Sequence, residues 1–136
     1  MKESTSARPR FNGLSLLCID NHIDSLEMLR VTLQLEGANV HIAASSREAL
    51  FSLKQNPVDV VLCDILMPDE NGIAVLHKLR AAGFEGPAIA LTALKNPEVE
   101  AEALKHGFCA YLTKPVEMDQ LVAAIADLPR VQRRVS

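Results

Sequence analysis

Val58-Asp59-Val60-Val61-Leu62-Cys63-Asp64 decides the architecture of this 136-residue chain. Residues 58–63, apolar except for Asp59, form a run of strand length, and Asp64 closes it. Runs of the same kind stand at residues 14–19 and 88–91, with a shorter one at 109–112. Strands that are apolar throughout are covered on both faces, as in parallel sheets flanked by helices. Residues 38–43 alternate Val40 and Ile42 with Asn39 and His41, the pattern of an edge strand.

Between these runs lie amphipathic stretches with helix punctuation. Asp24 reads as an N-cap with Glu27 as its capping-box partner, and Ile23 and Met28 stand where a hydrophobic staple belongs. Gly37 ends that helix. Ser45 with Glu48 repeats the capping box for a second helix, which Pro57 closes before the next strand. A third helix spans about 73–82 and stops at Gly83; Asn96 and Pro97 open a fourth that stops at Gly107; the last covers about 117–127. The order is (βα)5. It predicts a doubly wound α/β fold, one sheet of five parallel strands with helices on both faces, and in such sheets ligands sit beyond the carboxyl ends of the strands.

Composition narrows the function. Hydrophobic residues make up 49% and charged residues 23%, the balance of a globular domain. The net charge of −3 includes +2 in residues 1–10 and +3 in residues 129–136, leaving −8 on the body between them. That body repels phosphate backbones, which argues against direct nucleic-acid binding. We expect a flexible basic arm at 1–12, a folded domain at 13–128 and a basic tail at 129–136. The apolar stretch 14–19 is far short of the ~20 residues of a bilayer span, so no membrane insertion and a cytoplasmic location are expected. Cys18, Cys63 and Cys109 are odd in number and lie in apolar runs, as buried, reduced thiols do. His22, His41, His77 and His106 are scattered over different elements and read as surface or cap residues rather than as a metal site.

The strand ends carry the chemistry. Asp20 and Asn21 follow the first strand, Asp64 the third, Thr92 the fourth, and Thr113, Lys114 and Pro115 the fifth. Any one of them alone reads as a loop residue or a cap. Together they place acids, an amide, a hydroxyl and a lysine on one rim. No Gly-rich phosphate loop of the GxxxxGK[ST] or GxGxxG kind is present.

Four motifs in order, Leu16-Leu17-Cys18-Ile19-Asp20-Asn21, Asp64-Ile65-Leu66-Met67-Pro68 with Gly72, Leu91-Thr92-Ala93 and Tyr111-Leu112-Thr113-Lys114-Pro115, make the chain resemble the receiver domain of two-component response regulators. Separations of 44, 28 and 22 residues between Asp20, Asp64, Thr92 and Lys114 suit that family. The resemblance covers residues 14–128 and implies a flavodoxin-like fold. Residues 87–92 and 114–116 are most similar to receivers of hybrid sensor kinases. By position, the resemblance makes Asp64 the nucleophile that accepts a phosphoryl group from phosphohistidine. It makes Asp20, Asn21, Asp64 and the carbonyl of Leu66 the ligands of Mg2+, and Thr92 and Lys114 the partners of the phosphoryl oxygens. Thr92 and Tyr111 would form the switch, and Lys114-Pro115 a cis peptide. Such a domain catalyses its own phosphorylation and dephosphorylation and turns over no metabolite.

Asn21 departs from the family, which most often has a second acid there. It keeps open a degenerate receiver that docks without being phosphorylated. Phosphatases of the haloacid dehalogenase type need an acid two residues after the nucleophile, where this chain has Leu66. The partner implied is a sensor histidine kinase or a histidine phosphotransfer protein. Cys109 and Ala110, with an arginine-free last helix, lack the charged pattern of receivers that dimerise firmly, leaving at most a weak homodimer. With only eight residues after Leu128, three of them arginines, output is expected to pass through that partner.

Overall fold

The computed structural model describes residues 10–128. It contains β1 (Ser15–Ile19), α1 (Ile23–Leu35), β2 (Asn39–Ala43), α2 (Ser46–Gln55), β3 (Val60–Asp64), α3 (Gly72–Ala81), β4 (Ala88–Thr92), α4 (Pro97–Lys105), β5 (Ala110–Thr113) and α5 (Met118–Ala126). All strands pair in parallel in the order β2-β1-β3-β4-β5, so the (βα)5 expectation holds and β2 is an edge.

Strand alternation sorts the side chains into two cores. Leu16 and Cys18 of β1, Val60 and Leu62 of β3 and Ile89 of β4 face Leu26 and Leu33 of α1 and Leu121, Val122 and Ile125 of α5. Leu17, Ile19, Val61, Cys63 and Ala90 face Ala49 of α2, Val75, Leu76 and Leu79 of α3 and Ala103 of α4. Leu33 and Leu79 are fully buried, and each contributes roughly 1.5–3 kcal/mol by leaving water. Phe11, inside the stretch expected to be an arm, is buried in the first core and donates its N–H to Glu36 O at 2.8 Å. Residues 1–9 of that arm and the tail 129–136 lie outside the described residues.

Most of the punctuation acts as expected. Ser45 Oγ accepts the Glu48 N–H at 3.1 Å, and Glu48 reaches back to the N–H of Ala44 at 2.7 Å. Asn96 accepts from Glu98 and Val99 above the N1 proline. Gly37, at φ 95°, takes the left-handed conformation that lets the chain leave α1, and Gly83 and Gly107 do the same after α3 and α4.

Two expectations are corrected. α1 begins at Ile23, with His22 at the N-cap, because Asp20 Oδ1 accepts the His22 N–H at 2.9 Å and turns the chain early. Asp24 therefore lies in the first turn, and Ile23 and Met28 are 56% and 65% exposed instead of clasped together. Cys109 is exposed while Cys18 and Cys63 are buried: it precedes β5 on the open edge, held by its N–H on Ala88 O at 2.7 Å.

Gly72 matters for space. Its N–H meets Ile65 O at 2.9 Å, and a Cβ added to it would lie 2.4 Å from Asp64 O and 2.9 Å from Ile65 Cα. Backbone atoms cannot give way as a flexible side chain can. Gly72→Ala should therefore cost about 1–3 kcal/mol, the range of overpacking, and displace Asp64 with it. Urea denaturation checks the cost; a change within experimental error would show that α3 is not packed against the end of β3.

Candidate functional site

Register assembles the rim. Ile19 pairs with Cys63, so the next residues of β1 and β3, Asp20 and Asp64, are neighbours. Thr92 pairs with Thr113, and the Lys114 N–H is held by Thr92 O at 2.7 Å, which brings Lys114 round from the edge. Its ammonium lies 2.6 Å from Asp20 Oδ2 and 3.4 Å from Asp64 Oδ2. Asp20, Asp64 and Thr92 are all buried. The Lys114-Pro115 peptide is cis.

Each side chain is anchored locally. Asp64 Oδ1 accepts the Leu66 N–H at 3.0 Å, so the Leu66 backbone stands at the site while its side chain is exposed. Thr92 Oγ1 accepts the Leu94 N–H at 3.2 Å. The Tyr111 hydroxyl donates to Leu94 O at 2.6 Å. One residue, Leu94, thus joins the two expected switch residues, its N–H to Thr92 and its C=O to Tyr111.

The two acids are pulled apart electrostatically. Burial pushes the Asp64 carboxyl above its ordinary value, outweighing the Lys114 ammonium and the Leu66 N–H. Burial acts on Asp20 too, but there the close Lys114 ammonium and the His22 N–H prevail and hold it below the carboxylate range. Burial drives the Cys18 thiol up to about 12 and Cys63 further still, which keeps both protonated and out of the chemistry.

The donor set suits a hard divalent cation. Asp20, His22 and Asp64 offer ligand atoms within 4.8 Å of one another. Asn21 Oδ1 is buried with no hydrogen-bond partner among the described residues, a state that costs about 1–3 kcal/mol and that a cation would relieve.

Residues 16–126 match the response regulator receiver domain. The chain belongs to that family. Among similar proteins, the transcriptional regulatory protein ZraR of Escherichia coli K12 is 35% identical over 114 residues, covering 84% of this chain but 26% of ZraR. The chain thus spans about a quarter of that relative's length. An uncharacterized 14.6 kDa protein of Leptolyngbya boryana is 35% identical over 82% of this chain and 87% of its own. Among solved structures, the Francisella response regulator 1452 receiver domain superposes with a TM-score of 0.75 at 32% identity, covering 83% of this chain and 93% of that one. A receiver domain protein of Methanospirillum hungatei gives 0.76 at 28% identity, covering 83% and 90%. Accepting a phosphoryl group is the general function of receivers, and they bind Mg2+ at an acidic pocket such as this one.

The receiver's histidines are less scattered than their sequence positions imply. His22 Nδ1 lies 3.2 Å from Asp20 Oδ1, on the rim itself. His77 Nε2 lies 3.1 Å from His106 Nδ1, joining α3 to the end of α4. Only the position of His22 directly after Asn21 pointed to the first contact. The second depends on how two helices pack, which no local pattern carries.

The opposite pKa shifts have a measurable consequence. The ionised Asp64 carboxylate is worse off folded than unfolded, so that part of stability is present below its unfolded value and lost as pH rises through its folded one. Asp20 has the opposite sign, its contribution being lost as pH falls through its depressed value. Asp64→Asn should raise Tm at pH 7, with the gain disappearing below the ordinary carboxylate range, where the wild-type side chain is itself protonated. Calorimetry across pH checks this, and a lower Tm at pH 7 would contradict the sign for Asp64.

Proposed function

We propose that Asp64 accepts a phosphoryl group from a phosphohistidine donor and that the receiver signals by the change this makes in its surface. The observation supporting this reading is the unequal sharing of Lys114: its ammonium is close on Asp20 and at longer range to Asp64 Oδ2. Asp64 is left as the carboxylate with an oxygen to offer. In the transfer that oxygen attacks phosphorus, the P–N bond of the donor breaks, and its electron pair leaves with the donor imidazole.

The chain's own groups orient and stabilise this exchange. The Leu66 N–H holds Asp64 Oδ1, so Oδ2 is the attacking oxygen. Lys114 meets a phosphoryl oxygen as a point charge. Because the Thr92 hydroxyl accepts from Leu94, its own proton is available to another phosphoryl oxygen. Asp20, Asn21, Asp64 and the Leu66 carbonyl would hold Mg2+, which when bound neutralises charge developing on the phosphoryl group.

The switch follows from the two hydrogen bonds of Leu94. Drawing Thr92 toward the phosphoryl group pulls the Leu94 N–H with it, and Leu94 O is the acceptor of Tyr111. Loss of that acceptor frees the ring to repack between α4 and β5. Such a shift is limited by the difference in affinity of the two states for the phosphoryl group.

The donor is a sensor histidine kinase or a histidine phosphotransfer protein, and α1 is its docking face. Met28, Val31 and Leu35 are 65%, 55% and 74% exposed and share one helix face. That face leads into a groove of about 400 Å³ lined by Met28, Leu29, Lys114, Pro115 and Val116, continuous with the site. A helical partner laid there would place its histidine over Asp64. This reading retains the cytoplasmic location and assigns no role to nucleic acid.

Asn21 supports the second reading, a receiver that docks without phosphorylation, since a neutral amide binds a cation less firmly than an acid. Intact mass after incubation with acetyl phosphate and Mg2+ separates the two. The wild type should gain one phosphoryl mass, Asp64→Ala none, and Met28→Asp with Leu35→Asp should keep the gain from acetyl phosphate while slowing transfer from a phosphohistidine protein at least about tenfold, a loss of ~1.4 kcal/mol at the interface. No gain from either donor would leave the docking reading.

A further inference from the structure

We propose that His22 is a side-chain ligand of the acidic pocket and that the pocket therefore selects a first-row transition cation able to bond an imidazole over Mg2+. This rests on the reading that Asp20 and Asp64 hold a divalent ion, and it names which ion this particular receiver favours.

The placement comes first. His22 Nδ1 is 3.2 Å from Asp20 Oδ1, and both lie within 4.8 Å of an Asp64 oxygen. Donors at right angles on an ion with bonds of about 2.1–2.2 Å stand about 3 Å apart, so the nitrogen and oxygen are already spaced as neighbouring ligands. The His22 side chain is 66% exposed, so the ring can turn to share an ion without unpacking the core. The acids behind it are buried and fixed by Lys114 and by backbone N–H groups.

The chemistry comes second. A pocket with Asn21 in place of an acid has lost charge, and Lys114 already sets a positive charge against Asp20. Such a loss falls hardest on Mg2+, which is bound through hard oxygens and releases its waters reluctantly. An imidazole adds little for Mg2+ but a strong bond for cobalt, nickel or zinc. Asn21, between Asp20 and His22 in the chain, adds a neutral amide oxygen that is buried and has no hydrogen-bond partner among the described residues. Two carboxylates, an amide oxygen and an imidazole form a mixed oxygen and nitrogen set, which fits a borderline cation better than a purely oxygen-bound one.

The bland account is that the ring only hydrogen-bonds Asp20 at the start of α1. Calorimetric titration of the full chain with Co2+ and with Mg2+ distinguishes them, using wild type, His22→Ala and His22→Gln, each checked for folding by circular dichroism. The wild type should bind Co2+ more tightly than Mg2+. Both variants should lose at least about tenfold in Co2+ affinity, the scale of losing a supporting contact at a metal site. Mg2+ affinity should change by less than about twofold, since Mg2+ makes little use of nitrogen. A paramagnetically shifted exchangeable imidazole proton should appear in the Co2+ spectrum of the wild type and be missing from both variants. Unchanged Co2+ affinity, or equal losses for the two ions, would overturn the role of His22 while leaving the divalent site intact. Absence of any ion binding to the wild type would overturn the site itself, and phosphorylation of Asp64, read by mass, would then be judged separately.

Discussion

One ammonium group placed against two buried carboxylates is the constraint on which the site depends. Lys114, from the edge strand, meets Asp20 at 2.6 Å and Asp64 at 3.4 Å across the ends of β1 and β3. A single cation cannot compensate both acids equally in a place shielded from water. Asp20, with the close contact, is held ionised, and Asp64 bears the larger unrelieved desolvation. The acid least well satisfied in the resting fold gains most from a cation and from chemistry on its oxygen.

The sheet makes this arrangement unavoidable. After β1 the chain crosses to β2 on one side and returns to β3 on the other, which opens a crevice at the switch of direction. Register then sets Asp20 beside Asp64, and the β4 to β5 pairing sends Lys114 back toward them. Gly72 completes the geometry by letting the start of α3 rest on the Asp64 carbonyl. The same strand ends that bury apolar side chains below therefore fix polar ones above. Stability and function share one rim with opposite demands on it.

Much of this was legible in the sequence because it is written locally. Apolar runs mark buried strands, Ser45 and Asn96 mark helix starts, and Gly37, Gly83 and Gly107 mark helix ends. Asp20, Asp64, Thr92 and Lys114 were all found at strand ends, and the rim brings them together. What escaped was set by neighbours distant in the chain or by competition for one group. Asp24 looked like a cap, yet Asp20 reached the His22 N–H first and started α1 early. Cys109 sat in an apolar run, yet the run lies at an edge. The His77 and His106 contact depends on helix packing alone. The join from Thr92 through Leu94 to Tyr111 likewise appears only once β4 and β5 are paired.

The central claim is that Lys114 splits the two acids and leaves Asp64 the more easily protonated. Carboxyl carbon NMR of the metal-free protein, followed through a pH titration with Asp20 and Asp64 assigned, measures this directly. Asp64 should titrate above the ordinary aspartate value and Asp20 below it, and Lys114→Gln should raise Asp20 toward Asp64. Coincident titrations in the wild type, or Asp20 titrating above Asp64, would contradict the account.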